Sequence, residues 1–255
     1  HQLYQLSGLD SNPPYGKMMI SRYAQLAMPN KITASKTKII MGNTMFDYIG
    51  IKKDYTSWHV NFADGDVFNY YGSGLLAQDE LQVAEHPILA NVLGLLFKLS
   101  KKDNKYDPNT RDYDVKPNPA TPILIEGVER RLSINTLPST SLADGIYGNL
   151  FATADWKNIE PRVTTLKKYT ISNIIAMEAH PTRRGDYLIE QIRDIFITAY
   201  TAFSAAMSQT QGKVEIHTGD WGTGAYGGNK ILTACLQLLA ARAANVDLLV
   251  FHTLD

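Results

Sequence analysis

From Thr170 to Thr253 the chain alternates strand, helix, strand, glycine-rich turn, helix and strand, and this order most narrows what it can fold into. TISNIIAMEA (Thr170–Ala179) is a short isoleucine-rich run with the look of a buried strand. GDYLIEQIRDIFITAYTAFSAAMSQ (Gly185–Gln209) repeats its apolar residues at helical spacing. KVEIHTG and DLLVFHT read as further strands, and KILTACLQLLAARAAN between them as a helix with alanine and leucine on its inner face. Strands that alternate with helices predict an α/β sheet covered on both faces. Such sheets take their ligands beyond the carboxyl ends of strands, where loops lead into helices.

The first half is less regular. Apolar spacing in KMMISRYAQLAM predicts a helix from Lys17 to Met28, ending near Pro29. TKIIMG and SWHVNFA read as strands. LLAQDELQVAEHPILANVLGLLFKL is helical with a break at Pro87. The polar, proline-bearing stretch from Lys101 to Pro122 reads as a loop or insertion, and no clear pattern covers Arg130 to Arg162. The expected organisation is an N-terminal helical extension over 1–36 and a domain over 37–255, with an insertion around 101–165. The chain ends directly after an apolar strand, and further sequence is expected beyond it.

Composition excludes several classes of function. The formal net charge is +0, so no global field favours nucleic acid or an anionic membrane. A phosphate site made of backbone N–H groups stays compatible with that neutrality. The single cysteine, Cys235, forbids an intrachain disulfide and a cysteine zinc cluster, and its apolar helical setting predicts a packed thiol. His59, His180 and His217 share no metal-ligand spacing and read as strand-end hydrogen-bonding groups. No metal and no cofactor is expected. No apolar run is long enough to span a bilayer, and the N-terminus lacks a signal pattern.

Two segments carry the chemistry. The first is Gly219-Asp-Trp-Gly-Thr-Gly-Ala-Tyr-Gly-Gly228, set between a strand and a helix. Its glycines allow close backbone approach, and the following helix offers N–H groups and a positive dipole end. That suits a diphosphate, although the spacing matches neither a P-loop nor a dinucleotide fingerprint. A tight connection whose glycines serve packing alone is the plainer alternative. Trp221 and Tyr226 add aromatic faces of the kind that border sugars or bases. The second segment is Gly72-Ser-Gly-Leu-Leu-Ala-Gln-Asp-Glu80, where Gln78, Asp79 and Glu80 open a helix. Acids at a helix start often only complement its dipole. As chemistry, one acid would serve a leaving group while its neighbour holds a sugar hydroxyl, with burial and the charge of Asp79 raising the pKa of Glu80.

Together these segments resemble poly(ADP-ribose) glycohydrolase. NFAD (Asn61–Asp64) is similar to the family's strand end, GSGLLAQDELQVAEHPIL to its signature helix, and TGDWGTGAYGGN to its phosphate turn. The likeness covers roughly Trp58–His86 and Tyr169–Phe251. It implies a macrodomain-like three-layer α/β/α core with a mixed central sheet and ADP-ribose across the strand ends. It implies that Glu80 sits beside the glycosidic bond, that Asp79 contacts ribose hydroxyls, and that Gly222, Thr223, Gly224, Ala225, Tyr226 and Gly227 wrap the diphosphate. The turn and the acid pair must then serve one nucleotide. Asp64, Asp66, Asn69 and Gln78 join the substrate-binding set. Phe251, at the end of the last strand, either stacks on adenine or packs in the core. Three departures stand out: Phe68-Asn69-Tyr70 where the family has three glycines, Asp79 for the first signature glutamate, and Asp64 for an asparagine. Tyr226 takes the place of a phenylalanine that borders the ribose.

The function expected from this resemblance is hydrolysis of an N- or O-glycosidic bond of ADP-ribose on a mono-ADP-ribosylated protein, with Glu80 as general acid and base. Cleavage of the polymer and binding without cleavage are the alternatives. The expected partners are ADP-ribose and an ADP-ribosylated protein, with no nucleic acid and no membrane. The protein is expected to be a monomer in the cytoplasm, or in a host cytosol if it is a bacterial effector.

Overall fold

The structure, a computed structural model, describes residues 1–14, 16–32, 35–42, 44–102, 119–140, 142–182 and 187–253. Arg183, Arg184 and most of the polar stretch from 101 to 122 lie outside the described residues. The chain divides into two compact units.

The larger unit comprises 19–65, 115–126 and 172–255. It holds β1 (Met19–Arg22), β2 (Lys38–Gly42), β3 (Tyr55–Ala63), α6 (Ile189–Gln209), β6 (Lys213–Gly219), α7 (Lys230–Ala243) and β7 (Leu248–His252). Two long strands, β4 (Ile123–Ile134) and β5 (Val163–Glu178), contribute part of their length. The sheet order is β1-β4-β5-β3-β6-β7-β2. β3 pairs in parallel with β5 and β6, and β7 pairs in parallel with β6 and β2, whereas β1 runs antiparallel to β4. The result is the α/β sheet that the alternating pattern predicts, with the mixed strand directions that the resemblance implies.

Pleating divides the side chains between two faces. Trp58, Val60, Ile175, Met177, Val214, Ile216 and Leu249 fall on one of them. They pack with Ile195, Ala199, Ala202, Phe203 and Ala206 of α6 and with Leu236, Ala240 and Ala241 of α7. The alanines at helical spacing let both helices approach the sheet closely. At about 25 cal/mol per Å² of buried apolar surface, burial in this layer stabilises the unit.

The smaller unit comprises 1–18, 66–114 and 127–171. It holds α1 (Gln2–Leu6), α2 (Gln78–Glu85), α3 (Ile88–Lys102), α4 (Leu150–Thr153), α5 (Trp156–Ile159) and the remaining lengths of β4 and β5. The expected break at Pro87 separates α2 from α3, since proline cannot donate the N–H an unbroken helix needs.

Three expectations need correction. Lys17–Met28 is not a helix: Met19–Arg22 is a strand paired with Ile123–Glu126, and Tyr23 N donates to the Pro122 carbonyl. A strand edge that satisfies the backbone outweighs the weak helical period of so short a segment. Among the described residues the helical part of the N-terminus is α1. Cys235 is exposed on α7, not packed, because the helix buries Thr233, Leu236 and Gln237 and turns position 235 outward. His59 lies in the middle of β3 and not at its end.

Candidate active site

The turn between β6 and α7 is built in the larger unit. Trp221 anchors it: the indole is fully buried in the core and its Nε1–H donates to the Met177 carbonyl at 3.1 Å. Trp221 is therefore structural and has no free face for a sugar. Gly222 has φ +73°, and a Cβ there would collide with the Ala179 side chain. A Cβ on Gly228 would lie 2.5 Å from the Gly222 carbonyl oxygen. The fold requires both glycines. Gly224 differs, since a Cβ there would meet nothing within 4 Å.

Most amides around the turn are consumed within the protein. Gly227 N donates to Gly224 O at 2.9 Å and Gly228 N to Gly222 O at 3.0 Å. Asn229 caps α7, its side-chain oxygen accepting from Leu232 N at 2.9 Å, while its own N–H donates to the Tyr187 hydroxyl at 2.6 Å. The expected row of open helix N–H groups is thus partly filled. Among the described residues, the amides of Gly224, Ala225 and Tyr226 make no intramolecular hydrogen bond. These three successive donors lie just before the start of the fourteen-residue α7, where backbone N–H groups and the helix dipole suit an anion. Lys230 pairs with Asp220 at 2.9 Å beside it.

Tyr226 ends this run. Its hydroxyl lies 2.9 Å from Glu178 Oε1 and 3.0 Å from Asp64 Oδ2. Burial, then the charges of Glu178 and Asp64 and the hydrogen bonds to them, hold the phenol's proton far above the usual tyrosine range. Asp64 was expected here and Glu178 was not. Glu178 closes an apolar strand sequence, and nothing local marks it. Phe251, opposite Thr218 in the β6–β7 ladder, is buried at 5% exposure.

The acid pair is built in the smaller unit. Asp79 and Glu80 occupy the first turn of α2 and are 6% and 4% exposed. Glu80 Oε2 accepts the N–H of Ala77, the residue just before the helix, at 3.0 Å. The far end of α2 is also tied down. Glu85 accepts from Arg130 Nε at 2.9 Å and from Ile134 N at 2.7 Å, and His86 Nδ1 meets the Gln82 carbonyl at 2.8 Å. Burial pushes the Glu85 pKa up to about 6 against the opposing pull of Arg130, and burial lowers that of His86 to about 3. Gln78 is half-buried. Asp66 and Asn69 lie in one turn, with Asn69 N donating to Asp66 O at 3.1 Å. Phe68 adopts φ +59° with its ring buried. The backbone here keeps a left-handed conformation that glycine would adopt without strain, and a phenylalanine bears it by anchoring its ring in the core.

A histidine cluster sits on the sheet face opposite the α6–α7 layer. Glu215 accepts from Ile51 N, Lys52 N and Ser57 Oγ and meets His217 Nε2 at 3.2 Å. His217 Nδ1 meets His252 Nε2 at 2.9 Å, and His252 Nδ1 meets the Thr44 carbonyl at 2.7 Å. His59 stacks on His217 at 4.5 Å. Among the described residues no group of three or more His, Cys, Asp or Glu side chains is placed to hold a metal ion.

A mixed sheet with helices and a glycine-rich turn from strand to helix defines an α/β protein of the macrodomain-like class. Residues 130–255 match the family model described as poly(ADP-ribose) glycohydrolase, macro domain fold. The poly(ADP-ribose) glycohydrolase of Thermomonospora curvata is similar at 17% identity and a TM-score of 0.57, over 92% of this chain and 80% of that one. Its structure with the inhibitor ADP-HPD is similar at 17% identity and a TM-score of 0.55, over 86% and 74%. At this identity the likeness is one of fold. The second half of the chain thus matches the poly(ADP-ribose) glycohydrolase family model, and the fold is macrodomain-like.

Proposed function

We propose that this protein is an ADP-ribosyl glycohydrolase that releases ADP-ribose from a mono-ADP-ribosylated protein. The observation that carries the reading is the run of open amides at Gly224, Ala225 and Tyr226 beside the start of α7. It offers a diphosphate fixed donors without calling on net charge. The match of residues 130–255 to a glycohydrolase family model supports the same chemistry.

In this mechanism the turn fixes the diphosphate, so that binding energy is converted into alignment of the glycosidic bond. Glu80 protonates the departing group and then assists the attack of water. The transition state resembles an oxocarbenium ion, which nearby carboxylates stabilise. Asp79 orients the ribose. The near-complete burial of both carboxyls supports this assignment, because their charge acts on the reacting bond more strongly away from bulk water. We place the substrate among mono-ADP-ribosylated proteins because Phe68 and Tyr70 stand where the polymer-cleaving pattern has glycine. Asp64 and Asp66 add acceptors suited to a cationic side chain such as a guanidinium. The protein would act as a monomer in the cytoplasm, or in a host cytosol if it is an effector.

A second reading has an observation of its own. Glu80 already caps α2 through Ala77 N, which suits a protein that binds ADP-ribose without cleaving it. Mass spectrometry of ADP-ribosylated arginine, glutamate and serine peptides after incubation separates the two. Loss of the ADP-ribose mass from at least one peptide is expected. Binding of ADP-ribose with no loss from any peptide would establish the reader instead.

A further inference from the structure

We propose that Glu178 is a positioning residue, which acts with Asp64 to lock the Tyr226 ring and thereby fixes the 222–228 turn in its ligand-ready shape. For its functional consequence this rests on the reading of that turn as the diphosphate site. The lock itself is a property of the unliganded protein.

Two neighbouring parallel strands deliver the carboxylates. Glu178 is the last residue of β5 and pairs in register with Ala63, and Asp64 follows directly on β3. Gly65 completes the seat: a Cβ there would lie 3.3 Å from Glu178 Oε2, so the carboxylate rests against bare backbone. Tyr226 then reaches down from the turn and places its hydroxyl within hydrogen-bond distance of both acids. The phenol has one hydrogen and two acceptors. It keeps a partner through small shifts of the ring, so the lock holds over a range of ring positions.

The contact also accounts for one departure: Tyr226 replaces an expected phenylalanine, which has no hydroxyl to bridge the two strand ends. A fixed ring holds the Gly224–Tyr226 amides in place before a ligand arrives. The lock therefore lowers the ordering cost of binding and leaves the bond-breaking step to other residues.

Hydrogen exchange of the unliganded protein, followed over residues 222–228, tests the lock. Tyr226→Phe should speed exchange of the hydrogen-bonded amides of Thr223, Gly227 and Gly228 roughly tenfold, the worth of one net hydrogen bond. Glu178→Ala should speed it by a smaller factor, and the Tyr226→Phe/Glu178→Ala double variant should match Tyr226→Phe alone. Glu178→Gln, whose amide oxygen still accepts the phenol's hydrogen, should stay near the wild type. If Glu178→Ala does not fold, the same cycle run with Asp64→Ala decides whether the acids act through Tyr226. Unchanged exchange in Tyr226→Phe, or effects that multiply in the double variant, would overturn the proposal. In ADP-ribose calorimetry and peptide turnover, the variants should raise Kd and KM far more than they lower kcat. Wild-type protein that neither binds nor releases ADP-ribose would sink the glycohydrolase reading, while the exchange result would still decide the lock.

Discussion

The turn at 219–228 and the helix at 78–85 carry the two halves of the proposed chemistry, and they are built in opposite ways. In the helix the polar groups serve the fold: Glu80 caps the start, and Glu85 and His86 secure the end. In the turn the fold takes what it needs from Trp221, Gly222 and Gly228 and leaves three amides and the space at Gly224 unused. Donors and space that the fold does not use are open to a ligand. The helix acids must instead do two jobs, and a substitution there reads out both.

Acidification should break the helix first. His86 is fully buried, its pKa lowered to about 3 against an ordinary 6.5. Its contribution to stability is therefore complete above about pH 6.5 and is lost as pH falls toward 3. One pKa unit is worth about 1.4 kcal/mol, so the full loss approaches about 5 kcal/mol. Glu85 acts in the other sense. Its raised pKa, about 6 against 4.5, means that its favourable contribution exists at low pH and fades as pH rises through 6. The two effects oppose each other between about pH 4.5 and 6. Thermal melting from pH 7 to pH 4 should show a fall that His86→Asn flattens, since its amide N–H can still donate to the Gln82 carbonyl. A wild-type melting curve insensitive to pH would deny the helix its dependence on neutral His86.

Glycine substitutions sharpen the contrast within the turn. Gly222→Ala forces a Cβ into Ala179 at a positive φ and should destabilise the protein by roughly 1–3 kcal/mol, read by denaturant melting. Gly224→Ala should leave the melting midpoint unchanged and weaken ADP-ribose binding about tenfold in calorimetry, by placing a methyl group in the ligand's path. Equal losses of stability in both variants would mean that all the glycines serve packing. The smallest effect is expected at Cys235. It is exposed on α7, so Cys235→Ser should change stability by less than about 0.5 kcal/mol and leave ADP-ribose binding unaltered.

The parts of the fold that could be read in the sequence are those whose local pattern agrees with their final environment. β5, α6, β6, α7 and β7 each show a run or period that burial on the sheet then uses. The Lys17–Met28 segment shows where this fails, since its conformation is set by a partner strand a hundred residues away. The site divides along the same line. The glycine turn and the acid pair stand out because glycine clusters and adjacent acids have local causes. Glu178 does not, because its role comes from the register of β3 against β5. Trp221 was misread for a related reason: an aromatic in a loop suggests a ligand face, but this ring turns inward to the Met177 carbonyl. The histidine and glutamate groups at 59, 215, 217 and 252 also meet only through strand pairing.

Release of free ADP-ribose from a mono-ADP-ribosylated peptide, followed by chromatography for wild type and Glu80→Gln at matched folding and matched ADP-ribose affinity, tests the central claim most directly. The account predicts turnover by the wild type and a loss of about a thousandfold or more in Glu80→Gln, in line with removal of a general acid together with its electrostatic role. Full-rate release by a well-folded Glu80→Gln protein would contradict it.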